Sequence, residues 1–229
     1  MITKLQELKW KLHCYKHRQL LIYGLNNGLI MPYDDELIGK LRKVYYGALP
    51  ASVILLSDSM TNGMCYDRAL LISQAFLDGE DDVQLLYATI DSLKLNPRFI
   101  SDNPLYADHC ICERITKEGK TLIYDTSSGF IYDKKIYWLM ENPKVRKINS
   151  KESIKQFIEV DKDRWPEDIN RDKYALPMIE KSFGRPNEIY SLEGIELLQR
   201  EIEYYKQTID YNGVVEEINQ DIRKLGLKK

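Results

Sequence analysis

The chain has 229 residues, of which 44% are hydrophobic and 30% charged, with a formal net charge of −2. This composition is typical of a packed globular domain and excludes an intrinsically disordered chain. A net charge so close to zero gives no bulk attraction to nucleic acid or to an anionic membrane, so neither is an expected partner. The N-terminus lacks the apolar run of a secretion signal, and no stretch approaches the ~20 apolar residues that span a bilayer, so we expect a cytoplasmic protein.

Hydrophobic spacing and β-forming residues predict alternating helices and strands. The predicted helices cover residues 2–23, 34 to about 45, 64–77, 134–140 and 191–210. The predicted strands cover residues 83–90, 109–116 and 120–125. Asn212 and Gly213 are expected to interrupt the C-terminal helix before a last short one, and the polar, proline-containing residues 144–190 receive no assignment.

A cysteine falls at the start of the central predicted helix. Residues 62–69 read Asn-Gly-Met-Cys-Tyr-Asp-Arg-Ala, which places Cys65 in the first turn, and Gly63 lets the backbone turn tightly before it. The unpaired N–H groups and partial positive charge of a helix N-terminus favour a thiolate. The same groups can bind the oxyanion that forms when sulfur attacks a carbonyl. Cys65 is therefore the candidate nucleophile.

A thiolate nucleophile benefits from an imidazole that takes its proton and later returns it, and the chain has only three histidines. His109 begins a predicted strand and can direct one ring nitrogen out of the strand end toward the helix. The turn at residues 117–120 predicts an antiparallel hairpin, in which the start of one strand lies beside the end of the next. Asp125 ends that second strand, so it is the candidate for holding the imidazole in the correct tautomer.

For the other cysteines and histidines, the sequence predicts packing or surface exposure rather than metal binding. On a strand, Cys110 and Cys112 face one side and His109 the other, so these residues do not converge on a zinc ion, and the two thiols pack beneath the helix. His13 and His17 have the i, i+4 spacing of metal ligands, but the surrounding basic residues predict a solvated face. Four sparse cysteines favour free thiols. We expect no metal and no cofactor.

Several of these residues together resemble a known family, the transglutaminase-like core of the papain-type cysteine enzymes. The shared features are Gly-x-Cys-x-Asp-x-Ala at Gly63, Cys65, Asp67 and Ala69, then His109 with Glu113, then Tyr124-Asp125-Thr126. The resemblance covers residues from about 57 to 140. The chain differs at Ile111, where the family often has an aromatic residue, and at residues 125–127, where Asp-Pro-Thr is common.

The resemblance implies a role for each member of the candidate triad: Cys65 as nucleophile, His109 as general base and acid, and Asp125 as the orienting residue. It implies an α+β fold with a papain/transglutaminase-like core, in which a nucleophile helix packs on an antiparallel sheet. Helices at both ends flank this core. The expected segments are an N-terminal helical segment at 1–50, the transglutaminase-like catalytic core at 51–145, and a polar segment with C-terminal helices at 146–229, together one compact unit.

The expected activity is cysteine-dependent acyl transfer on a peptide or another amide, with hydrolysis favoured because the sequence identifies no site for a second amine. The second oxyanion donor is open among Ser57, Asn62 and Tyr66. The sequence has no loop of Asp-x-Asp-x-Asp-Gly type, so calcium activation is not expected. The alternative is a catalytically inactive module of the same fold that binds a protein partner. The oligomeric state is open, since the flanking helices could also form a dimer contact.

Overall fold

The computed structural model describes residues 4–34, 37, 39–40, 65–96, 108–125 and 128–162, with single helical positions at 200, 207, 213, 216, 220 and 223. Some predictions lie outside these residues, namely Ser57, Asn62, Gly63, Thr126 and most of the helices at 34–45 and 191–210. At the predicted start of the second helix, the N–H of Leu37 donates to Oδ1 of Asp34 at 2.7 Å. This bond is that of a helix N-cap, as the sequence indicates.

The described chain alternates helices with the strands of one sheet. The helices are α1 (Lys4–Asn26), α2 (Cys65–Gln74), α3 (Asp91–Lys94), α4 (Lys134–Glu141) and α5 (Lys151–Lys162). The strands are β1 (Ile30–Pro32), β2 (Asp82–Thr89), β3 (Asp108–Ile115), β4 (Thr121–Asp125), β5 (Phe130–Asp133) and β6 (Lys144–Asn149). They form a six-stranded sheet in the order β1-β5-β4-β3-β2-β6, and every described pair is antiparallel. The predicted α+β class with an antiparallel sheet is confirmed.

Alternation along the strands divides the core into two layers, one on each face of the sheet. Cys110 and Cys112 of β3 are buried against the apolar side of α2, in a cluster that also includes Ile154 of α5. Ile111, between them, packs in the opposite cluster with Leu20 of α1 and with α4. The prediction that both thiols pack beneath the helix is confirmed, and all four cysteines are free.

A tight turn joins β3 to β4. The N–H of Thr116 donates to the carbonyl of Lys120 at 2.8 Å, and Gly119 has a φ of +80°, a conformation that glycine adopts without strain. The register pairs Ile115 with Thr121 and Cys112 with Tyr124. The predicted hairpin is therefore confirmed, and its open end is the end of the sheet that carries residues 109 and 125.

The sequence does not predict β5, β6 or α5. The side chains of β6 are mostly exposed, including Val145 at 38% and Ile148 at 54%, so the strand shows no alternation of apolar and polar residues.

The prediction that Asn212 and Gly213 interrupt the C-terminal helix is wrong at Gly213, which is helical. A glycine costs a helix about 1 kcal/mol relative to alanine, which a helix can tolerate. Within the described residues, no helix is long and apolar enough to cross a membrane.

Candidate active site

The described residues place Cys65 at the first position of α2, half-buried, at the end of the sheet where β3 begins. Its sulfur accepts hydrogen bonds from the backbone N–H groups of Tyr66 and Cys110, and its side chain is hydrogen-bonded to His109. Burial raises the pKa of the thiol, but the hydrogen bond and charge of His109, followed by the two N–H groups, outweigh it and lower the pKa below its ordinary value. Cys65 thus has the electrostatic surroundings of a thiolate.

His109 and Asp125 are brought together by the antiparallel pairing of β3 and β4. The pairing of Cys112 with Tyr124 places Asp125 one step further, diagonal to His109 on the same face of the sheet. Nε2 of His109 lies 2.9 Å from Oδ1 of Asp125, and both residues are buried. Since a carboxylate only accepts hydrogen bonds, Nε2 carries a proton. The remaining ring nitrogen, Nδ1, is therefore the one that meets Cys65.

The three side chains meet around the end of β3 rather than on one face of the sheet. Cys65 belongs to the helix on one face, whereas His109 and Asp125 lie on the face that α1 and α4 cover. Burial lowers the pKa of His109, but the charge and hydrogen bond of Asp125, with those of Cys65, outweigh it and raise the pKa well above its ordinary value. The lowered thiol pKa and the raised imidazole pKa both favour a thiolate–imidazolium pair.

Asp125 is held at both its side chain and its backbone. The hydroxyl of Tyr137, on α4, donates to Oδ2 at 2.8 Å. The carbonyl oxygen of Asp125 accepts from the hydroxyls of Ser128 at 3.1 Å and of Tyr33 at 3.2 Å. Neither Tyr137 nor Tyr33 was predicted as a site residue, because the chain has 16 tyrosines and these two lie outside the motifs. One feature of the sequence pointed to Tyr137: it lies on the predicted helix that follows the predicted strand ending at Asp125.

The structure also places two further residues that the sequence analysis singled out. Tyr66, a candidate oxyanion donor, stacks on Tyr87 of β2 with ring centroids 5.7 Å apart and is hydrogen-bonded to it. Glu113 is buried on the His109 face of β3, where it accepts from Gln84 and forms an ion pair with Lys134 at 2.6 Å. Glu113 is therefore engaged on α4 and β2, away from the thiol.

The prediction of a solvated face at His13 and His17 is wrong. Nε2 of His13 donates to Oγ of Ser92 at 2.9 Å, and that hydroxyl donates to Oε1 of Glu141 at 2.7 Å. Nε2 of His17 lies 2.8 Å from the same Oε1. The side of α1 that carries His13 and His17 faces α3 and α4, whereas Lys9 remains exposed. His13 is therefore only 8% exposed, and its neighbour Glu141 only 5%. We call His13, His17, Ser92 and Glu141 the α1 polar cluster.

Among the described residues, no group of three or more histidine, cysteine, aspartate or glutamate side chains has an arrangement that could hold a metal ion. The chain matches no family model, no curated protein and no solved structure. The chemical capacity of the site therefore rests on its own geometry. A polarised thiol at a helix N-terminus, bonded to a buried imidazole that is itself bonded to a carboxylate, can carry out nucleophilic attack on a carbonyl carbon.

Proposed function

We propose that the chain is a cysteine-dependent acyl-transfer enzyme of the transglutaminase-like, papain-type class, which hydrolyses an amide bond. The observation that carries the proposal is the imidazole of His109, hydrogen-bonded to Cys65 on one side and to Asp125 on the other. A buried free cysteine needs neither an imidazole nor a helix N-terminus to pack well. The combination is the one that nucleophilic catalysis requires.

The fold gives further support. The helix that begins at Cys65 packs on an antiparallel sheet, and His109 and Asp125 come from adjacent strands of it. This is the layout that the resemblance in the sequence implies for a transglutaminase-like core. The order of the motifs in the sequence and the side-chain contacts in the structure thus both support the proposed class of enzyme.

In the acylation step, the Cys65 thiolate attacks the amide carbonyl carbon, and a C–S bond forms while the carbonyl oxygen gains the negative charge. The N–H of Tyr66 lies at the helix N-terminus beside the sulfur, where it can bind that oxyanion. The C–N bond then breaks, and the His109 imidazolium gives its proton to the leaving amine. The products are a free amine, a Cys65 thioester and a neutral His109, still held by Asp125.

In the deacylation step, neutral His109 takes a proton from water, whose oxygen attacks the thioester carbonyl. The C–S bond breaks, the carboxylic acid leaves, and the thiolate–imidazolium pair is restored, so protons balance over the cycle. Asp125 stays ionised and stabilises the imidazolium at each stage. The assignment to hydrolysis rests on water being sufficient, since the described residues define no second amine site.

The first test measures the pKa of the Cys65 thiol. The purified chain is alkylated with iodoacetamide between pH 4 and 10, and modification at residue 65 is followed by peptide mass spectrometry. The other three cysteines are buried at 2% exposure or less and serve as internal references. We expect a thiol pKa below the ordinary value of about 8.5. His109→Gln should return it toward that value, because it removes the imidazolium.

The second measurement follows acyl transfer itself, with p-nitrophenyl acetate as an activated acyl donor. We expect an acetyl thioester on Cys65 that hydrolyses with time, and no such adduct in Cys65→Ala. A native-state thiol pKa equal to that of the urea-denatured chain, together with no thioester, refutes the enzyme and leaves the inactive binding module. A thioester that forms on Cys65 and persists indefinitely would refute hydrolysis.

A further inference from the structure

Tyr137 occupies the side of Asp125 that His109 does not. Its hydroxyl donates to Oδ2 at 2.8 Å, whereas Oδ1 of the same carboxylate lies 2.9 Å from Nε2 of His109. Tyr137 is 1% exposed, so this hydrogen bond forms in a buried environment. The two oxygens of Asp125 therefore each have a defined donor, one from the sheet and one from α4.

The ring of Tyr137 is fixed by its neighbours, which fixes the direction of its O–H group. It packs edge-on against Tyr132, with ring centroids 5.1 Å apart, and lies 6.0 Å from Trp138. The helix that carries it is capped at both ends: Asp133 accepts from the N–H of Lys135 at 2.9 Å, and the N–H of Asn142 donates to the carbonyl of Trp138. The donor position is thus set by packing rather than by the carboxylate.

The protonation state of Tyr137 makes this donor permanent. Burial raises the pKa of the phenol well above 10, and the negative charge of Asp125 raises it further. The hydroxyl therefore keeps its proton, and a carboxylate can only accept it. An aspartate carboxyl rotates broadly about its terminal bond, so a fixed donor on one oxygen selects which way the other oxygen points.

We propose that Tyr137 is a positioning residue of the triad: by binding Oδ2 of Asp125, it holds Oδ1 toward His109. This inference rests on the proposed function, and it adds a fourth member to the Cys65–His109–Asp125 group. Tyr137 does not touch the sulfur and acts through two intervening side chains. Its effect reaches Cys65 because Asp125 stabilises the imidazolium and the imidazolium stabilises the thiolate.

The test compares Tyr137→Phe with Tyr132→Phe. Both substitutions remove one hydroxyl from the same buried aromatic cluster. The hydroxyl of Tyr132 donates to Oγ of Ser128 at 2.8 Å, and Ser128 donates to the backbone carbonyl of Asp125 at 3.1 Å, so Tyr132→Phe keeps the Tyr137 donor to the carboxylate in place. The readout is the pH profile of Cys65 alkylation by iodoacetamide. We expect the thiol pKa to rise by about half a unit to one unit in Tyr137→Phe and to stay at the wild-type value in Tyr132→Phe.

A second comparison uses Asp125→Ala as the background. If Tyr137 acts through Asp125, adding Tyr137→Phe to Asp125→Ala should leave the thiol pKa unchanged. Should Tyr137→Phe fail to fold by near-ultraviolet circular dichroism, Tyr137→4-fluorophenylalanine keeps nearly the volume of tyrosine without an O–H donor, and the same shift is expected.

The outcomes distinguish a failure of the positioning role of Tyr137 from a failure of the proposed function. A low wild-type thiol pKa that neither Tyr137 variant changes, or that Tyr132→Phe changes equally, overturns the positioning role and leaves the enzyme intact. A wild-type thiol pKa at its ordinary value, together with no thioester on Cys65, overturns both. A rise in Tyr137→Phe that persists on the Asp125→Ala background also overturns the inference, because the effect would then bypass Asp125.

Discussion

The burial of His13 predicts that the fold loses stability as the pH falls below about 6.5. Burial lowers the pKa of His13 from 6.5 to about 4; the charge of Glu141 opposes this shift, and those of His17, Arg18 and Lys16 add to it. Between these pH values the unfolded chain binds more protons than the folded one, so stability falls as the pH falls. At 1.36 kcal/mol per pKa unit, the loss by pH 4 is about 3 kcal/mol.

The assay is urea unfolding at intervals from pH 7 to pH 4, followed by circular dichroism. His13→Gln is the comparison, because glutamine can still donate to Ser92 but does not titrate. We expect the stability advantage of the wild type over His13→Gln to shrink by about 3 kcal/mol across this range. This change is about half of the free energy of unfolding of a typical domain, so it is well above measurement error.

Glu141 titrates in a separate window. Burial raises its pKa, but the hydrogen bond and charge of His17, with His13 and Ser92, outweigh it and lower the pKa below 4.5. A lowered carboxyl pKa contributes stability that is fully present above the ordinary value and is lost as the pH falls through the folded value. Losses between pH 6.5 and 4.5 therefore report His13. A parallel loss of stability in wild type and His13→Gln over that interval would refute this prediction, because it would mean that His13 is not buried in its neutral form.

Two further predictions concern the site and the packing behind it. Asp125→Asn removes the charge that stabilises the imidazolium, so alkylation of Cys65 at pH 7 should slow by about tenfold, and an unchanged rate would contradict the assigned pairing. Gly24→Ala places a methyl group 2.7 Å from Cδ1 of Ile136. This overpacking should cost about 1–3 kcal/mol in urea unfolding, whereas Gly39→Ala, which meets no described residue within 4 Å, should cost nothing. Equal losses in the two variants would contradict the prediction.

The sequence predicted the parts of the site that depend on local pattern. The apolar spacing over residues 64–77 predicts a helix with Cys65 in its first turn, and the structure has this helix from Cys65 to Gln74. The β-forming runs around a Lys-Glu-Gly turn predict the hairpin that joins residues 109 and 125. Both features depend on contacts within a few residues of each other along the chain. The antiparallel pairing of β3 with β4 followed from the same patterns, because strands joined by a tight turn must be antiparallel, whereas the α+β class was an expectation from the family resemblance.

The parts that escaped prediction depend on contacts between distant segments. β1 pairs with β5 across about 100 residues, and nothing in three residues of strand specifies that partner. His13 and His17 have an ordinary amphipathic neighbourhood, and their partners, Ser92 of α3 and Glu141 of α4, lie far along the chain. Tyr137 is in the same position, since its hydroxyl gains a role only when β4 places Asp125 beside it.

Helix α4 links the two polar networks, because Tyr137 and Glu141 are four residues apart and so lie on one side of it. One turn binds the carboxylate of Asp125, and the next binds His17 of α1 and Ser92 of α3. These contacts keep α1 and α4 over the face of the sheet that carries His109 and Asp125. Excluding water from that face strengthens the attraction within the charged pair, since a lower dielectric weakens screening. The α1 polar cluster and the Tyr137–Asp125 hydrogen bond thus both hold α4 in place, one on each of two successive turns.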